Sequence, residues 1–321
     1  MVRHFMQSRK ARNTWFLSRV FSILSAALAT PSASMRIPSI SLALGLSLLL
    51  TGCVQRIATN TVGDIVDEGF TGFTEESDLE LARQALPGNL KLLEVLLKNS
   101  PDNPTLLRLL SQGYSSYALG FVEDQDPARA RAFYLRARDY GERVMRQDAK
   151  LAAGLDGSLE DLKAALAGAP KDRVPGVFWT AFGLGSYIQL NLTDPDALAD
   201  LPKAEAMMRF VDEKDSAFYY GGASLFLGTL YGSRSRFLGG DYDRSRAWFE
   251  KALRLNGRAF LMTQVYYAKS LAVQTLDEEL FDRLIAEVDS ASIDVLPENR
   301  LANAIAKEKA VRLKGRKPEL F

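Results

Sequence analysis

The chain has 321 residues, with 40 basic and 39 acidic side chains that leave a formal net charge of +1, and it holds one cysteine and one histidine. A single cysteine excludes an internal disulfide and a cysteine-rich zinc site. The length is enough for one sizeable domain or a short array of repeats.

The first predicted element is an N-terminal leader that ends at the cysteine. The run "MRIPSISLALGLSLLL", which begins at Met35, has the basic start and apolar length of a signal-peptide core and is too short to span a bilayer. The next residues complete "LTGC", residues 50–53, which is similar to a bacterial lipobox. We therefore predict a lipoprotein signal peptide over residues 1–52 and lipid attachment at Cys53. A secretory signal peptide with a chance cysteine after it is the alternative.

The leader also bears on the start of the chain and on its charge. Residues 1–34 have a basic-then-apolar pattern of their own, so we predict that Met35 is the true start, with an extended basic n-region as the alternative. Six basic residues and His4 leave with the leader, so the mature chain has 34 basic against 39 acidic side chains, a net charge of −5, and no imidazole. This excludes Ser-His-Asp, Cys-His and His-metal sites, and it offers no basic surface to nucleic acid.

After the cysteine, we predict a lipidated tether over residues 53–76 and a helical domain over residues 77–321. Val54 is not aspartate, which by the usual sorting rule of bacterial lipoproteins favours the outer membrane, on its periplasmic face. Ser77 to Glu80 has capping-box spacing, and Asn103, Asp126 and Asp194 each precede a proline, so these positions predict helix starts. Further helices are predicted over Ser158–Leu166, Val177–Leu190, Ser216–Tyr231, Asp241–Leu255, Phe260–Thr275, Glu278–Asp289 and Glu298–Leu313. No sustained two-residue alternation appears, so we predict an all-α fold.

Aromatic and small residues recur at the offsets of tetratricopeptide hairpins, in which small residues allow close helix approach and aromatics fill the gap. The first unit comprises Tyr114, Tyr117, Ala118, Phe121, Ala130, Tyr134 and Ala137. The second contains Trp179, Phe182 and Gly183, and the third contains Gly228, Tyr231, Phe249 and Ala252. This predicts a single-domain array of TPR-like helical hairpins. The alternative is that ordinary amphipathic helical hairpins show these spacings by chance.

Several stretches carry a closer resemblance, among them "GFVEDQDPARARAFYLRARDYGERVM", "VFWTAFGLGSYIQLN", "GGDYDRSRAWFEKALRL" and "LPENRLANAIAKEKA". They resemble the T component of tetratricopeptide-associated TRAP transporters, the TatT family, from about Leu79 to Phe321. The resemblance implies a periplasmic lipoprotein that forms a trimer around a central pore and docks to the P component, the solute-binding protein of the transporter. It implies no catalytic activity and no cofactor.

The resemblance also assigns a candidate ligand or partner lining, because the first helix of a tetratricopeptide hairpin lines the concave surface. The lining is apolar and hydroxylic, which suits an apolar ligand or an aliphatic partner segment. The alternative is that neighbouring helices cover this surface. The assigned residues are Gln112, Ser115, Leu119 and Val122 from the first unit, Val177, Thr180, Leu184 and Tyr187 from the second, and Leu225 and Thr229 from the third.

Polar residues outside this lining form two further groups. Asn299, Arg300 and Asn303 form a candidate polar site, because their spacing places both asparagines on one helix face. Capping and inter-helix hydrogen bonding explain them equally well. The acid-rich loops 123–126 and 241–243 lack the ligand count of a calcium loop and favour helix caps instead, so we predict no metal.

Two other functional classes remain open beside the transporter subunit. One is a TPR-like envelope scaffold lipoprotein that acts in outer-membrane or pilus assembly. The other is a carboxylate-based cell-wall hydrolase, for which the sequence offers no convincing constellation. A neighbouring gene for a TRAP solute-binding protein would favour the transporter subunit over the envelope scaffold.

Overall fold

A computed structural model describes residues 72–321. The predicted leader, the predicted lipid site Cys53 and the tether up to residue 71 lie outside the described residues. Described helices of eight residues or more are α1 (Leu79–Asn99), α2 (Pro104–Tyr117), α3 (Pro127–Met145), α4 (Ala149–Asp156), α5 (Leu159–Ala167), α6 (Val174–Gln189), α7 (Leu201–Lys214), α8 (Phe218–Gly232), α9 (Tyr242–Leu255), α10 (Glu278–Ser290) and α11 (Arg300–Gly315).

Shorter helical segments complete the described chain. Two are π-helical: Ala118–Val122 continues α2, and Ala268–Ala272 lies between the α-helical segments Met262–Tyr267 and Val273–Thr275. After α1, the other short segments are single turns of α-helix or 3₁₀-helix: Lys171–Arg173, Pro195–Ala199, Arg236–Leu238, Ile293–Val295, Pro297–Asn299 and Lys317–Leu320. The described residues contain no strand, so the predicted all-α class is confirmed.

Local side chains fix most helix starts. The predicted caps Asn103, Asp126 and Asp194 are confirmed, since each accepts a hydrogen bond from a free backbone N–H of the following first turn. The predicted capping box at Ser77 is wrong by one residue. Asp78 is the cap of α1 and accepts from the backbone N–H groups of Glu80 and Leu81. A carboxylate two and three residues before these donors provides a stronger acceptor than a hydroxyl.

The helices pack into two buried clusters that meet in the middle of the domain. One cluster joins the first helices to the last, from Ala82 in α1 to Leu313 in α11, and α11 contacts α1. The other lies between Met145 and Leu230. Between them, α3 packs against both α2 and α6, and α6 packs against α7. The first and last long helices of the described residues therefore meet beside the central hairpins.

The start of α8 differs from the predicted helix over Ser216–Tyr231. Tyr219, Tyr220 and Gly221 lie in the left-handed region with φ of 47°, 60° and 76°. Two consecutive tyrosines in this region cost energy, because the Cβ atom crowds the following carbonyl. The turn is held by packing and by a hydrogen bond of 3.2 Å from the Asn256 amide to the Tyr220 carbonyl. Regular α8 begins only after this turn.

None of the helices within residues 72–321 has the length and apolar character that a membrane-spanning helix needs.

Candidate functional site

A cavity of about 440 Å³ lies where the two buried clusters meet. Its wall includes side chains from both clusters, such as Leu86 and Ile305 from the first and Phe178 and Leu230 from the second. This volume lies within the range of small-molecule sites, which are concave and mostly apolar. The cavity is therefore the candidate site of this chain.

The buried side of the cavity is aromatic. We call this side the floor. It is formed by Phe178 and Trp179 of α6 together with Phe260 and Tyr219, and all of these except Tyr219 are at least 96% buried. The Tyr219 ring lies edge-on to Trp179 at 4.9 Å and to Phe260 at 5.9 Å between centroids. Such edge-to-face rings hold one another in fixed orientations. The floor is thus a rigid apolar surface.

The left-handed turn places Tyr219 in this floor. Its neighbour Tyr220 stacks on Phe260 at 5.1 Å, which anchors the turn from the other side. Gly221 follows at φ 76°, and a side chain there would also meet Leu255 at 3.3 Å. Strained backbone that the surrounding packing over-determines is frequent at binding sites. The strain here has a visible result, which is the position of the Tyr219 ring on the cavity wall.

A small neutral polar group interrupts the apolar wall. Burial raises the pKa of the Tyr219 hydroxyl, and hydrogen bonds with Asn299 and Ser116 oppose this shift only in part. Ser116 and Asn299 line the cavity themselves, and Asn299 is 3% exposed. The hydroxyl is therefore neutral at physiological pH. This cluster can offer hydrogen bonds to an uncharged polar atom of a ligand.

A buried ionic network closes one side of the cavity. Glu123, which lines the wall, accepts hydrogen bonds from Lys309 at 2.9 Å, Tyr134 at 2.6 Å and Tyr266 at 3.1 Å. Lys309 also contacts Asp124 at 2.7 Å. Burial raises the pKa of Asp124, but the nearby cations Lys309, Lys269 and Arg312 together lower it more and hold it below its usual value. The charged groups of this network are paired with one another, so the network exerts little electrostatic attraction on a ligand.

The mouth of the cavity is polar and exposed. Gln189, Lys269 and Gln274 line it and reach solvent, while Ser233 is half-buried beside them. The Lys269 ammonium lies over the Tyr266 ring, 5.5 Å from its centroid. Long polar side chains at an opening can keep it hydrated while the interior stays apolar.

The structure separates the predicted lining residues into two groups. Gln112, Leu119, Leu225 and Thr229 line the cavity. The others are absent from its wall: Ser115, Val122, Val177, Thr180 and Leu184 are buried, and Tyr187 is half-buried.

Contact with α3 accounts for the burial of Thr180 of α6. A side chain at Gly141 of α3 would meet the Thr180 hydroxyl at 2.4 Å, so the two helices touch at this position. The Thr180 hydroxyl donates a hydrogen bond of 2.7 Å to the Gly176 carbonyl oxygen. The helix that a simple hairpin exposes is here enclosed by its neighbours.

The residues assigned to repeat packing occupy interior positions. All are buried except Phe182, which is half-buried and lines the cavity together with Trp179. Gly183 and Gly228 are positions where helices touch, because an added side chain would meet the backbone of α3 at 2.8 Å in the first case and the Phe249 ring at 2.9 Å in the second.

The candidate polar residues bind the protein's own groups. Asn299 caps α11 through the Ala302 N–H, and Arg300 pairs with Asp294 at 2.6 Å. Asn303 accepts from the Leu261 N–H and donates to the Ala259 carbonyl, both at 3.0 Å. Only Asn299 also reaches the cavity.

The acidic residues of the loops 123–126 and 241–243 have other partners. Glu123 and Asp124 bind Lys309, while Asp126 and Asp241 cap α3 and α9. Among residues 72–321, no group of three or more acidic, histidine or cysteine side chains is placed to hold a metal ion.

Sequence reasoning missed several cavity residues. Tyr219, Phe260, Tyr266 and Lys269 belong to no predicted site. The one available signal was "FYYGG", residues 218–222, in which aromatic residues precede two glycines inside a predicted helix.

Comparison with known proteins adds two findings. The sequence pattern of the TAtT family, the TRAP transporter T-component, matches residues 75–321. An uncharacterized protein of Treponema pallidum (strain Nichols) is similar to this chain, with 26% identity over 276 residues that cover 79% of this chain and 84% of the relative. The family match covers the full set of described long helices.

Proposed function

From the premise that the chain belongs to the TRAP transporter T-component family, we propose that it is the periplasmic subunit that binds the solute-binding P component and holds an apolar solute. As a member of this family, the chain is an accessory component of a TRAP transporter. Its helical hairpins are proposed to be TPR-like repeats, and the working form is proposed to be a homotrimer, as the family resemblance implies.

The cavity is the observation that carries the solute part of this proposal. An aromatic floor, a neutral polar cluster and a polar mouth favour a ligand that is largely apolar with a small hydrogen-bonding group. The exposed lining residues Gln189, Lys269 and Gln274 are proposed to mark the opening through which the solute passes to a docked partner.

The cavity predicts binding of a neutral apolar probe. We expect N-phenyl-1-naphthylamine to bind the purified protein, and Leu225→Asp to weaken that binding at least tenfold, because a carboxylate is costly to desolvate against a bound apolar molecule. Leu225 is half-buried and lines the wall while packing against the core, so the thermal unfolding midpoint of the variant is measured alongside its affinity. Probe fluorescence during titration measures the affinity.

Leu238→Asp is the matched control, because Leu238 is 65% exposed and does not line the cavity. This variant should bind the probe as the unchanged protein does. Equal affinity in all three proteins would show that the probe does not bind in the cavity.

Attachment to the membrane is proposed to occur through Cys53, which places the folded domain in the periplasm, with the outer membrane favoured by Val54. Diacylglyceryl and acyl chains together would anchor the protein stably, whereas a single chain would hold it only marginally.

The lipid site predicts selective labelling. Cells fed a radioactive or clickable fatty acid should label the unchanged protein and leave Cys53→Ser unlabelled, because the chain has one cysteine. Gel fluorography of the immunoprecipitated protein measures the label. Equal labelling of both proteins would contradict the proposal.

A further inference from the structure

A basic recess of about 390 Å³ is lined by residues of α1 and α3. Four of its seven lining residues are cations and one is a carboxylate, which leaves a formal charge of +3. The carboxylate, Glu94, already accepts hydrogen bonds from Lys91 and Tyr114, both at 2.6 Å. The Tyr140 hydroxyl donates a third hydrogen bond to it at 3.1 Å. The recess therefore presents an excess of positive charge. Its lining residues are Lys91, Glu94, Leu97, Lys98, Arg136, Tyr140 and Arg143.

Two of these cations have no carboxylate partner within residues 72–321. Lys98 makes no ion pair with a described residue, and the Arg143 guanidinium donates to the Pro101 carbonyl oxygen at 2.6 Å. Both side chains are exposed. Cations that the protein itself does not neutralise attract anions from outside it. The recess can therefore bind the phosphate or carboxylate group of another molecule.

An exposed apolar ridge runs along α1 beside this recess. Leu92 and Val95 are 54% and 55% exposed, and an added side chain at Gly88 would meet nothing within 4 Å. These three positions are three or four residues apart, so they share the outer face of the helix. Lys91 and Lys98 lie four residues before Val95 and three after it, along the edge of the same face. The outer side of α1 thus combines an apolar ridge with a cationic flank.

We propose that this side of α1 binds the surface of an anionic phospholipid membrane. Leu92 and Val95 enter the interface to a depth of about 5–10 Å, and the cations of the recess bind the phosphate groups beside them, as in amphipathic helices that lie in the plane of a membrane. The ridge is convex and its charges lie to one side, which fits a flat charged surface above an apolar layer. The acidic residues Asp78 and Glu80 lie at the other end of α1, so the contact uses the half of the helix that follows Gly88.

The proposed lipid attachment makes a weak contact of this kind sufficient. Leu79, the first residue of α1, lies 26 residues after Cys53. An extended chain of that length spans at most about 90 Å. The lipid would therefore hold α1 at a high effective concentration near the membrane. This step rests on the proposed lipid attachment, whereas the charge and the exposed ridge of α1 do not.

A local fluorescent label tests the contact. The full chain with Cys53→Ser has no thiol, so a nitrobenzoxadiazole label on Val95→Cys is the only one. We expect vesicles of phosphatidylcholine with phosphatidylglycerol to raise its emission, because the label leaves water for the interface. Vesicles of phosphatidylcholine alone should require at least about tenfold more lipid for the same rise. The readout is local to α1, so it does not depend on whether Cys53 carries lipid or on how else the chain attaches to the vesicle.

Reversing two charges of the recess should remove most of the response. In the labelled chain, Lys98→Glu combined with Arg143→Glu should raise the lipid requirement at least about tenfold, because each cation near an anionic surface contributes about fivefold in affinity. Lys163→Glu combined with Arg254→Glu is the matched control, since these exposed cations of α5 and α9 change the net charge equally and do not line the recess. The control should respond as the parent chain does. Equal lipid requirements for both double variants would overturn the proposal.

The position of the label supplies a second control. Glu160 of α5 has a side chain that is 78% exposed, and a label on Glu160→Cys should not respond to the vesicles. A rise as large as that at position 95 would indicate adsorption without orientation and would overturn the proposal. So would an unchanged emission at position 95 on anionic vesicles, which is also the result expected if an acidic partner protein covers this face.

Two further measurements separate the ridge from the recess. Leu92→Ser in the labelled chain should raise the lipid requirement at least about threefold, because the ridge loses apolar surface that the membrane would bury. An unchanged requirement would contradict insertion of the ridge. Inorganic phosphate without vesicles should leave the emission unchanged. A response to phosphate that Lys98→Glu with Arg143→Glu removes would show that the recess holds a free anion, and would overturn the membrane as its occupant.

Discussion

Gly183→Leu should destabilise the protein by more than about 3 kcal/mol, beyond the usual cost of overpacking a core. The atoms nearest an added Cβ are the Arg138 nitrogen at 2.8 Å, the Tyr134 carbonyl oxygen at 3.0 Å and the Arg138 Cα at 3.2 Å. All three belong to the backbone of α3, which cannot turn away as a side chain can. The whole of α3 and α6 would have to separate, and both helices support the cavity floor. Denaturant unfolding measures the loss.

Gly183→Ala should cause a smaller loss of stability than Gly183→Leu, because its single methyl group already meets the same backbone atoms. Gly315→Leu is the matched control: Gly315 lies near the end of α11 and has nothing within 4 Å of an added side chain. The control should change stability by no more than about 0.5 kcal/mol. An unchanged unfolding midpoint for Gly183→Leu would mean that α3 and α6 do not pack as described.

Lys309→Met should cost about 3 kcal/mol, at the low end of the range for removing one member of a buried ion pair. Lys309 is 6% exposed, and its removal leaves the Glu123 carboxylate without its closest cation. Glu123 keeps the hydroxyl hydrogen bonds from Tyr134 and Tyr266, which limits the loss. Lys314→Met is the matched control on the same helix, since its pair with Asp289 is largely exposed and should contribute below about 1 kcal/mol.

The cost of Lys309→Met should depend on pH. The folded protein holds the pKa of Asp124 below its ordinary value of 3.8, although burial raises it, because Lys309, with smaller contributions from Lys269 and Arg312, is close. A lowered carboxyl pKa stabilises the fold above the ordinary value and loses that effect as the pH falls through the folded value. The stability gap between the two proteins should therefore narrow below about pH 3.8. A gap that widens in acid would contradict the ion-pair assignment.

The parts of the fold that the sequence predicts are those with local causes. Asn103 and Asp126 cap helices through backbone groups two or three residues away, so a short stretch contains the whole interaction. The glycine at position 183 could be assigned to a helix contact because its aromatic neighbours repeat at a known spacing. The one-residue error at Ser77 arose because Asp78 competes for the same donors.

The cavity could not be predicted from the sequence, because the contacts that form it join residues far apart in the chain. Glu123 and Lys309 are 186 residues apart, and no periodicity in the chain relates them. The left-handed turn at Tyr219 contradicts the helical pattern around it and is stable only because Asn256 and Phe260 hold it. Lining residues such as Thr180 were assigned from a simple hairpin, whereas the enclosing helices bury that face.

Sedimentation of the purified protein, alone and mixed with the solute-binding protein of its own TRAP transporter, tests the proposed function most directly. We expect a homo-oligomer alone and a faster-sedimenting complex in the mixture at tens of micromolar, which corresponds to about −6 kcal/mol of binding free energy. A monomer that sediments unchanged beside the solute-binding protein at those concentrations would contradict the proposal and favour an envelope scaffold.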